Sequence, residues 1–392
     1  MKKKNRKTIW NYMNNGILFI TLGLAILGAF LILDASSISS VLRYHNSSPY
    51  YYFERQLIMI TLGLVGSFII LKFPTKTYKM LSLLISVACL GIIIFTFGWS
   101  KISGSISTVT ISIGSVVLQP AEILKLSLIM YMGAYYGEWA NLKVKSKFSA
   151  VRPLLLCGAS AFIILIGGDF GTAAIMCALY ALVFACVPTK EQWIKATKGV
   201  VIFFLVFSIF ALKFGYLVLP DEVLSGGGRL SRFNYKNACD RYEEQTGYQV
   251  CNGYIAMDNG GLSGVGVGNS VQKYLYLPES HTDFIFPIVV EEFGVISGVA
   301  IIIAYMVLLY LVFKVAVDTH ELQNSIICYG IGIYFMLHVF VNLGGVLGII
   351  PVTGVPLPFL SYGGSFCICI LASFAIVQRI NLENKMYQEH NN

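Results

Sequence analysis

The chain has 392 residues, 56% hydrophobic and only 12% charged, with a net charge of +8. Soluble domains carry about 25% charged residues, so this composition excludes one and indicates a polytopic α-helical membrane protein. The basic residues are scattered along one side of the expected bundle, which reports topology and excludes a nucleic-acid surface.

Apolar runs of about 20 residues mark membrane spans. Ten are expected, at about 16–33, 56–72, 80–98, 119–137, 152–168, 171–187, 199–218, 284–313, 325–345 and 363–381. The fold class is therefore all-α: one ten-helix domain over 16–381, with short tails at 1–15 and 382–392. The first run follows a basic start, as a signal peptide would. It is long for one, lacks a clear cleavage site and precedes nine further spans, so it reads as an uncleaved helix.

With the N-terminus inside, the inner segments hold 18 of the 28 Lys and Arg residues, among them Lys72, Lys76, Lys79, Arg379 and Lys385. The outer segments hold 8, five of them in the long segment 219–283, and long loops barely obey the positive-inside rule. Both termini are thus expected in the cytoplasm, with 219–283 as an extracellular loop between spans seven and eight.

Span four opens Gln119-PAEILK, with Pro120 suited to a first helical turn. Glu122 and Lys125, spaced i and i+3, share a face and can pair. The pair can lock helix packing, line a polar cavity that contacts substrate, or do both. Asp169, in the short link before span six, is placed to cap that helix.

The long loop contains Ser225-GGGRLSRF and later Gly260-GLSGVGVGNSVQKYLYLPESHTD. Its glycines lack the βαβ context of a dinucleotide site and are expected to permit tight turns near a ligand. Arg229, Arg232 and Lys273 can form a local phosphate site. Cys239 and Cys251 face an oxidising exterior, where either a disulfide or two free thiols is open.

Span eight opens His281-TDFIFPIVVEEFG, which places Asp283 at the mouth of an apolar helix and Glu291 and Glu292 about two turns further on. Charges in spans are costly and are paired or functional. Asp283 suits either a helix cap or a general base, and one of the glutamates is expected to pair within the bundle. Between spans nine and ten, Pro351-VTGVPLPFLSYGGS is irregular backbone at membrane depth, expected as a re-entrant loop over about 346–362. Start of span four, long loop and re-entrant loop then meet in an outward-facing cavity. No spacing suits a metal cluster, and the five His residues are dispersed.

Three segments, "GVGNSVQKYLYLPESHTDFIFPIVVEEFG", "NLGGVLGIIPVTGVPLPFLSYGGS" and "QPAEILKL", resemble the SEDS family (shape, elongation, division, sporulation), in order and over nearly the whole chain. "GNSVQKYLYLPE" is closer to the FtsW and SpoVE members than to RodA. The resemblance implies a SEDS-type bundle and a peptidoglycan glycosyltransferase that polymerises lipid II during cell division, with undecaprenyl diphosphate as leaving group. It implies Asp283 as general base and maps the family's carboxylate and lysine onto Glu122 and Lys125; Arg229, Arg232, Lys273, Glu279, His281 and Ser361 are further candidate substrate contacts. It implies a class B penicillin-binding protein and other divisome proteins as partners, at the septal cytoplasmic membrane. No cofactor follows from the motifs. A divalent cation, magnesium or manganese, bridging Asp283 and the diphosphate suits the chemistry, without a visible ligand set.

The chain departs from the family pattern at Ala121, where a Ser is usual, and at Gly168, where a Pro is common. The segment Ser103-GSISTVTISIGSVVLQP lacks the usual Arg, Lys and Trp, so Lys101 or Arg229 would have to meet the diphosphate instead. Two rival functions are a lipid II flippase and a non-catalytic scaffold that activates a penicillin-binding protein.

Overall fold

The structure is a computed structural model that describes residues 9–42, 48–103, 111–113, 116–140, 147–214, 237–243 and 245–391. Among these, eleven α-helices account for nearly all regular structure. They are α1 (Asn15–Leu42), α2 (Tyr51–Ile70), α3 (Tyr78–Ser103), α4 (Pro120–Ala140), α5 (Lys147–Ile166), α6 (Phe170–Cys186), α7 (Gln192–Phe214), α8 (Gln245–Gly260), α9 (Ile285–Asp318), α10 (Leu322–Val346) and α11 (Ser365–Asn391). One antiparallel ribbon, β1 (Ile111–Ile113) with β2 (Val116–Leu118), precedes α4 and pairs Ile111 with Leu118.

Seven helices are long and apolar enough to cross a membrane: α1, α2, α3, α5, α9, α10 and α11. Helices α4, α6 and α7 fall on the other three expected spans. Among them α4 stands apart, because it is buried along most of its length and packs on α3, α5, α6, α10 and α11. An internal post needs no lipid-facing stripe, so it can carry the buried Glu122 and Lys125. Helix α11 runs on through the expected C-terminal tail to Asn391.

The expected eighth span divides in two. Helix α9 has 34 residues, about 51 Å at 1.5 Å per residue, against a hydrocarbon core of about 30 Å. Its geometry breaks at Gly294, with φ 81° and ψ 168°. Residues 285–292 are buried on every side, whereas Val295, Ile296, Val299, Ile303, Met306 and Tyr310 form an exposed apolar stripe after the break. Lipid therefore begins at the break and not at Asp283, and the two glutamates belong to the internal segment.

The break frees backbone groups, which must find partners when buried. The glycine-rich segment after α8 supplies them. Val265 N–H donates to Glu291 O (2.9 Å), Gly266 N–H to Glu292 O (3.0 Å), and Val295 N–H to Gly261 O (2.9 Å). A Cβ on Gly294 would lie 2.1 Å from Leu262 O, and one on Gly264 would lie 2.2 Å from Glu292 O. Gly261, Gly264, Gly266 and Gly268 hold positive φ, so the expected tight turns are present, and Gly264 and Gly294 in addition serve close backbone approach at the broken helix.

The glutamates brace the same contact. Glu291 accepts from Ser270 Oγ, from Val271 N–H (3.1 Å) and from Gln272 N–H. Glu292 pairs with Lys273 Nζ at 2.6 Å, and Asp34 of α1 pairs with the same ammonium at 2.8 Å. Burial works against the Lys273 charge, but its hydrogen bonds to Asp34 and Glu292 outweigh it and raise the pKa above 10.5. A raised folded pKa means the stabilisation is full below pH 10.5 and is lost as pH climbs through the raised value. Lys273→Met leaves two carboxylates facing each other without a cation. The expected loss is about 3–5 kcal/mol, read as a lower thermal midpoint of the purified protein. An unchanged midpoint would remove the brace.

A disulfide joins Cys239 to Cys251, staples the turn Ala238–Arg241 to α8 and resolves the open cysteine question. It closes a loop of 12 residues, worth about 3 kcal/mol in the chain-entropy view. Cys239→Ser with Cys251→Ser should make residues 237–260 more sensitive to protease, and reducing agent should do the same to the natural chain.

Candidate functional site

Asp283 ends a tight turn. Thr282 N–H (3.1 Å) and Phe284 N–H (3.2 Å) both donate to Glu279 O, and Glu279 holds a φ of 57°. Helix α9 starts at Ile285, its N-cap is Phe284, and no side chain caps it. The Asp283 carboxylate is therefore not the helix cap, the simpler of its two expected roles. It is 8% exposed, and Oδ1 accepts from Thr282 Oγ1 at 3.2 Å.

The re-entrant segment closes over this turn. Tyr305 of α9 donates its hydroxyl to Pro358 O (2.6 Å), and a Cβ on Gly28, mid-way along α1, would lie 2.0 Å from Phe359 O. Irregular backbone thus reaches the interior of the bundle, where protein rather than lipid surrounds it. Ser361 Oγ accepts from Leu357 N–H (2.9 Å), so this candidate substrate contact closes the loop's own turn. His281 is 2% exposed and packs against Tyr52 at 4.3 Å, and its carbonyl accepts from Tyr362 N–H (2.9 Å).

Helix α10 connects the two charged centres. Tyr334, His338 and Asn342 recur every four residues and share one face. Tyr334 donates its hydroxyl to Glu122 Oε2 (3.0 Å). Lys125 Nζ donates to Glu122 Oε1 (2.7 Å) and lies 3.3 Å from His338 Nε2. His338 Nδ1 is 2.8 Å from the Tyr334 carbonyl, which can only accept, so the proton sits on Nδ1 and Nε2 accepts from Lys125. Asn342 Nδ2 donates to Asp283 O (2.8 Å) and Val355 O (2.7 Å). The ion pair thus lies one helical turn, about 6 Å along α10, from the groups that hold Asp283.

Other elements join at the same end. Gln119, just before α4, donates its N–H to Ser365 Oγ (2.9 Å) and its side-chain amide to Asp169 Oδ2 (3.3 Å). Asp169 Oδ1 accepts from Thr172 N–H (3.0 Å), so this residue caps α6. The Arg55 guanidinium of α2 stacks over Tyr51 at 3.9 Å and lies close enough to Tyr362 of the re-entrant segment to act on it electrostatically.

Of the residues singled out from sequence, the structure gathers Asp283, His281, Glu279 and Ser361 on one turn-and-loop unit, with Glu122 and Lys125 a helical turn away. Lys273 is taken up by protein carboxylates, so its charge is not open to a phosphate. Arg229 and Arg232 lie outside the described residues. The sequence reading missed Arg55, Tyr334, His338 and Asn342. Three polar residues at a spacing of four in an apolar span were the available signal for the last three.

A bundle of membrane-length helices with a buried carboxylate beneath a re-entrant loop defines an integral membrane protein with a polar site at one end. The chain belongs to the FtsW/RodA/SpoVE family of cell cycle proteins, whose model matches residues 15–386. It is 33% identical to the probable peptidoglycan glycosyltransferase FtsW of Bacillus subtilis, over 92% of this chain and 90% of that protein. It is 30% identical to stage V sporulation protein E of the same organism, over 93% and 96%. Its fold matches a solved peptidoglycan synthase complex that coordinates polymerization and crosslinking (TM-score 0.68, 21% identity, 95% of this chain and 98% of that one). It also matches Thermus thermophilus RodA, a rod shape determining protein (TM-score 0.65, 19% identity, 95% and 98%).

Proposed function

We propose that this chain is a peptidoglycan glycosyltransferase that polymerises lipid II at the outer face of the cytoplasmic membrane. The observation that carries the reading is Asp283: a buried carboxylate at the mouth of an internal helix that it does not cap. In the reaction a sugar hydroxyl bonds to the anomeric carbon of a second lipid-linked disaccharide. Its proton passes to the Asp283 carboxylate, and the electron pair of the breaking bond leaves with undecaprenyl diphosphate. A hydroxyl is a poor nucleophile until a base takes its proton in the transition state. The diphosphate leaves as an anion, so no acid need protonate it, in contrast to glycoside hydrolysis.

Arg55 is a cation near the site that can meet diphosphate, since its guanidinium offers several donors beside Tyr362. It stands in for the basic residues that the segment before α4 lacks. Glu122 and Lys125, paired with each other and held by Tyr334 and His338 of α10, are assigned to the same substrate. Both termini are cytoplasmic, the partner is a class B penicillin-binding protein within the divisome, and the site of action is the septum.

The test places the purified chain and its partner in vesicles, with lipid II supplied only to the outer face. Glycan polymer is expected without entry of substrate to the lumen. Lipid transfer across the bilayer with no polymer would make the chain a flippase. Polymer formed only by the partner would leave it a scaffold.

A further inference from the structure

The segment that follows α8 carries an apolar outer surface of its own. Leu262, Val265, Val267, Val271, Tyr274 and Tyr276 are all exposed, Leu262 most of all at 72%. Between Asp258 and Glu279 the one charged residue is Lys273, and it is buried against its two carboxylates. A water-facing stretch of that length would carry about five charges. A contiguous exposed apolar surface marks a site of contact with protein or membrane.

Backbone contacts fix where this surface sits. Val295 N–H donates to Gly261 O (2.9 Å) and Ile296 N–H to Leu262 O (3.4 Å). Leu262 therefore stands level with Val295 and Ile296, the first lipid-facing residues of α9, and extends their apolar surface across the break. Val265 and Gly266 N–H are tied to the backbone of Glu291 and Glu292, and Val271 N–H reaches the Glu291 carboxylate at 3.1 Å. The segment thus wraps the charged brace, with polar groups turned inward and aliphatic side chains outward. Gly264 N–H donates to Gly260 O (2.7 Å), Asn269 N–H to Gly266 O (3.2 Å) and Asn269 Nδ2 to Val265 O (3.1 Å). Backbone near hydrocarbon needs such internal partners.

We propose that residues 262–276 are seated in the outer leaflet of the bilayer, so that this part of the expected extracellular loop meets lipid. The aliphatic side chains nearest the break enter the acyl boundary, as the apolar face of an interfacial segment does. Tyr274 and Tyr276 stand at headgroup level, where amphipathic rings collect. Charge returns to the surface at Glu279, beyond them. Each aliphatic side chain moved from water to hydrocarbon favours the seated state by at least about tenfold. The seat holds whatever reaction the Asp283 turn performs.

The probe is the photocrosslinker p-benzoylphenylalanine, placed singly at Leu262 or Val267 of the full-length protein in vesicles of phosphatidylethanolamine and phosphatidylglycerol. Both positions are exposed, so the label displaces no packed neighbour. Ile303 in the lipid-facing stripe and Asp240 in the disulfide-stapled turn are the references, both exposed. After irradiation the adducts are identified by mass. Leu262 and Val267 are expected to give lipid adducts at the level of Ile303 and at least about tenfold above Asp240. Yields equal to that of Asp240 would place the segment in water and overturn the seat. With a class B penicillin-binding protein reconstituted alongside, the lipid adducts are expected to persist. Their replacement by adducts to that protein would make the surface a protein interface and overturn the seat as well.

Discussion

Asp283→Asn is expected to lower glycan polymerisation by at least about 100-fold, the scale on which a positioned base acts, while the protein folds and binds its partner as before. The substitution keeps the shape of the side chain and removes its ability to take a proton. The contacts that hold this turn are made by the backbone: Asn342 donates to the Asp283 carbonyl, and Phe284 and Thr282 N–H donate to Glu279 O. Thr282 Oγ1 can still donate to the amide oxygen in place of Oδ1. No helix cap is lost, because α9 has none from this residue. Polymer made from lipid II, resolved by length on a gel, is the measurement, with the thermal midpoint as control. Product within a few-fold of the natural chain, in a variant of equal stability, would sink the assignment of Asp283 as base.

Breaking the second centre should have a different signature. Lys125 is 1% exposed and Glu122 is 5% exposed. Removing one charge strands the other in the bundle interior, which costs about 3–5 kcal/mol. Lys125→Met should therefore lower stability and activity together, which decides nothing by itself. The double variant Glu122→Gln with Lys125→Met removes both charges and should recover most of the stability. If the pair only locks α4 against α10, the double variant polymerises normally. If the pair acts on substrate, it is folded and at least about 100-fold slower. His338→Gln keeps an acceptor that Lys125 can reach, and His338→Phe does not, so only the second should reproduce the Lys125→Met defect. Activity equal to the natural chain in both the double variant and His338→Phe would reduce this cluster to packing.

Much of the molecule is legible from its sequence, for a definable reason. Spans announce themselves because lipid demands long apolar runs. Asp283, Glu122 and Lys125 stand out because a charge in such a run is costly enough to need a purpose. Asp169 could be read as a cap because capping is local, and its partner is Thr172. The re-entrant segment was visible from its prolines and glycines in an apolar setting.

What sequence alone could not decide depends on partners far along the chain. The apolar run at about 284–313 reads as one long span, and only the packing of Leu262 and Gly264 against the backbone of α9 shows that it breaks at Gly294. Lys273 reads as a ligand for phosphate until Asp34, 239 residues away, takes its charge. Asp283 reads equally as cap or base until the helix is seen to begin after it, uncapped. Hydropathy and charge placement are properties of single segments, so the sequence determined the class of protein, its spans and its main charged residues. Whether a buried charge is paired is a property of three-dimensional neighbours. The tertiary structure alone therefore separated Lys273 as brace from Asp283 as candidate base.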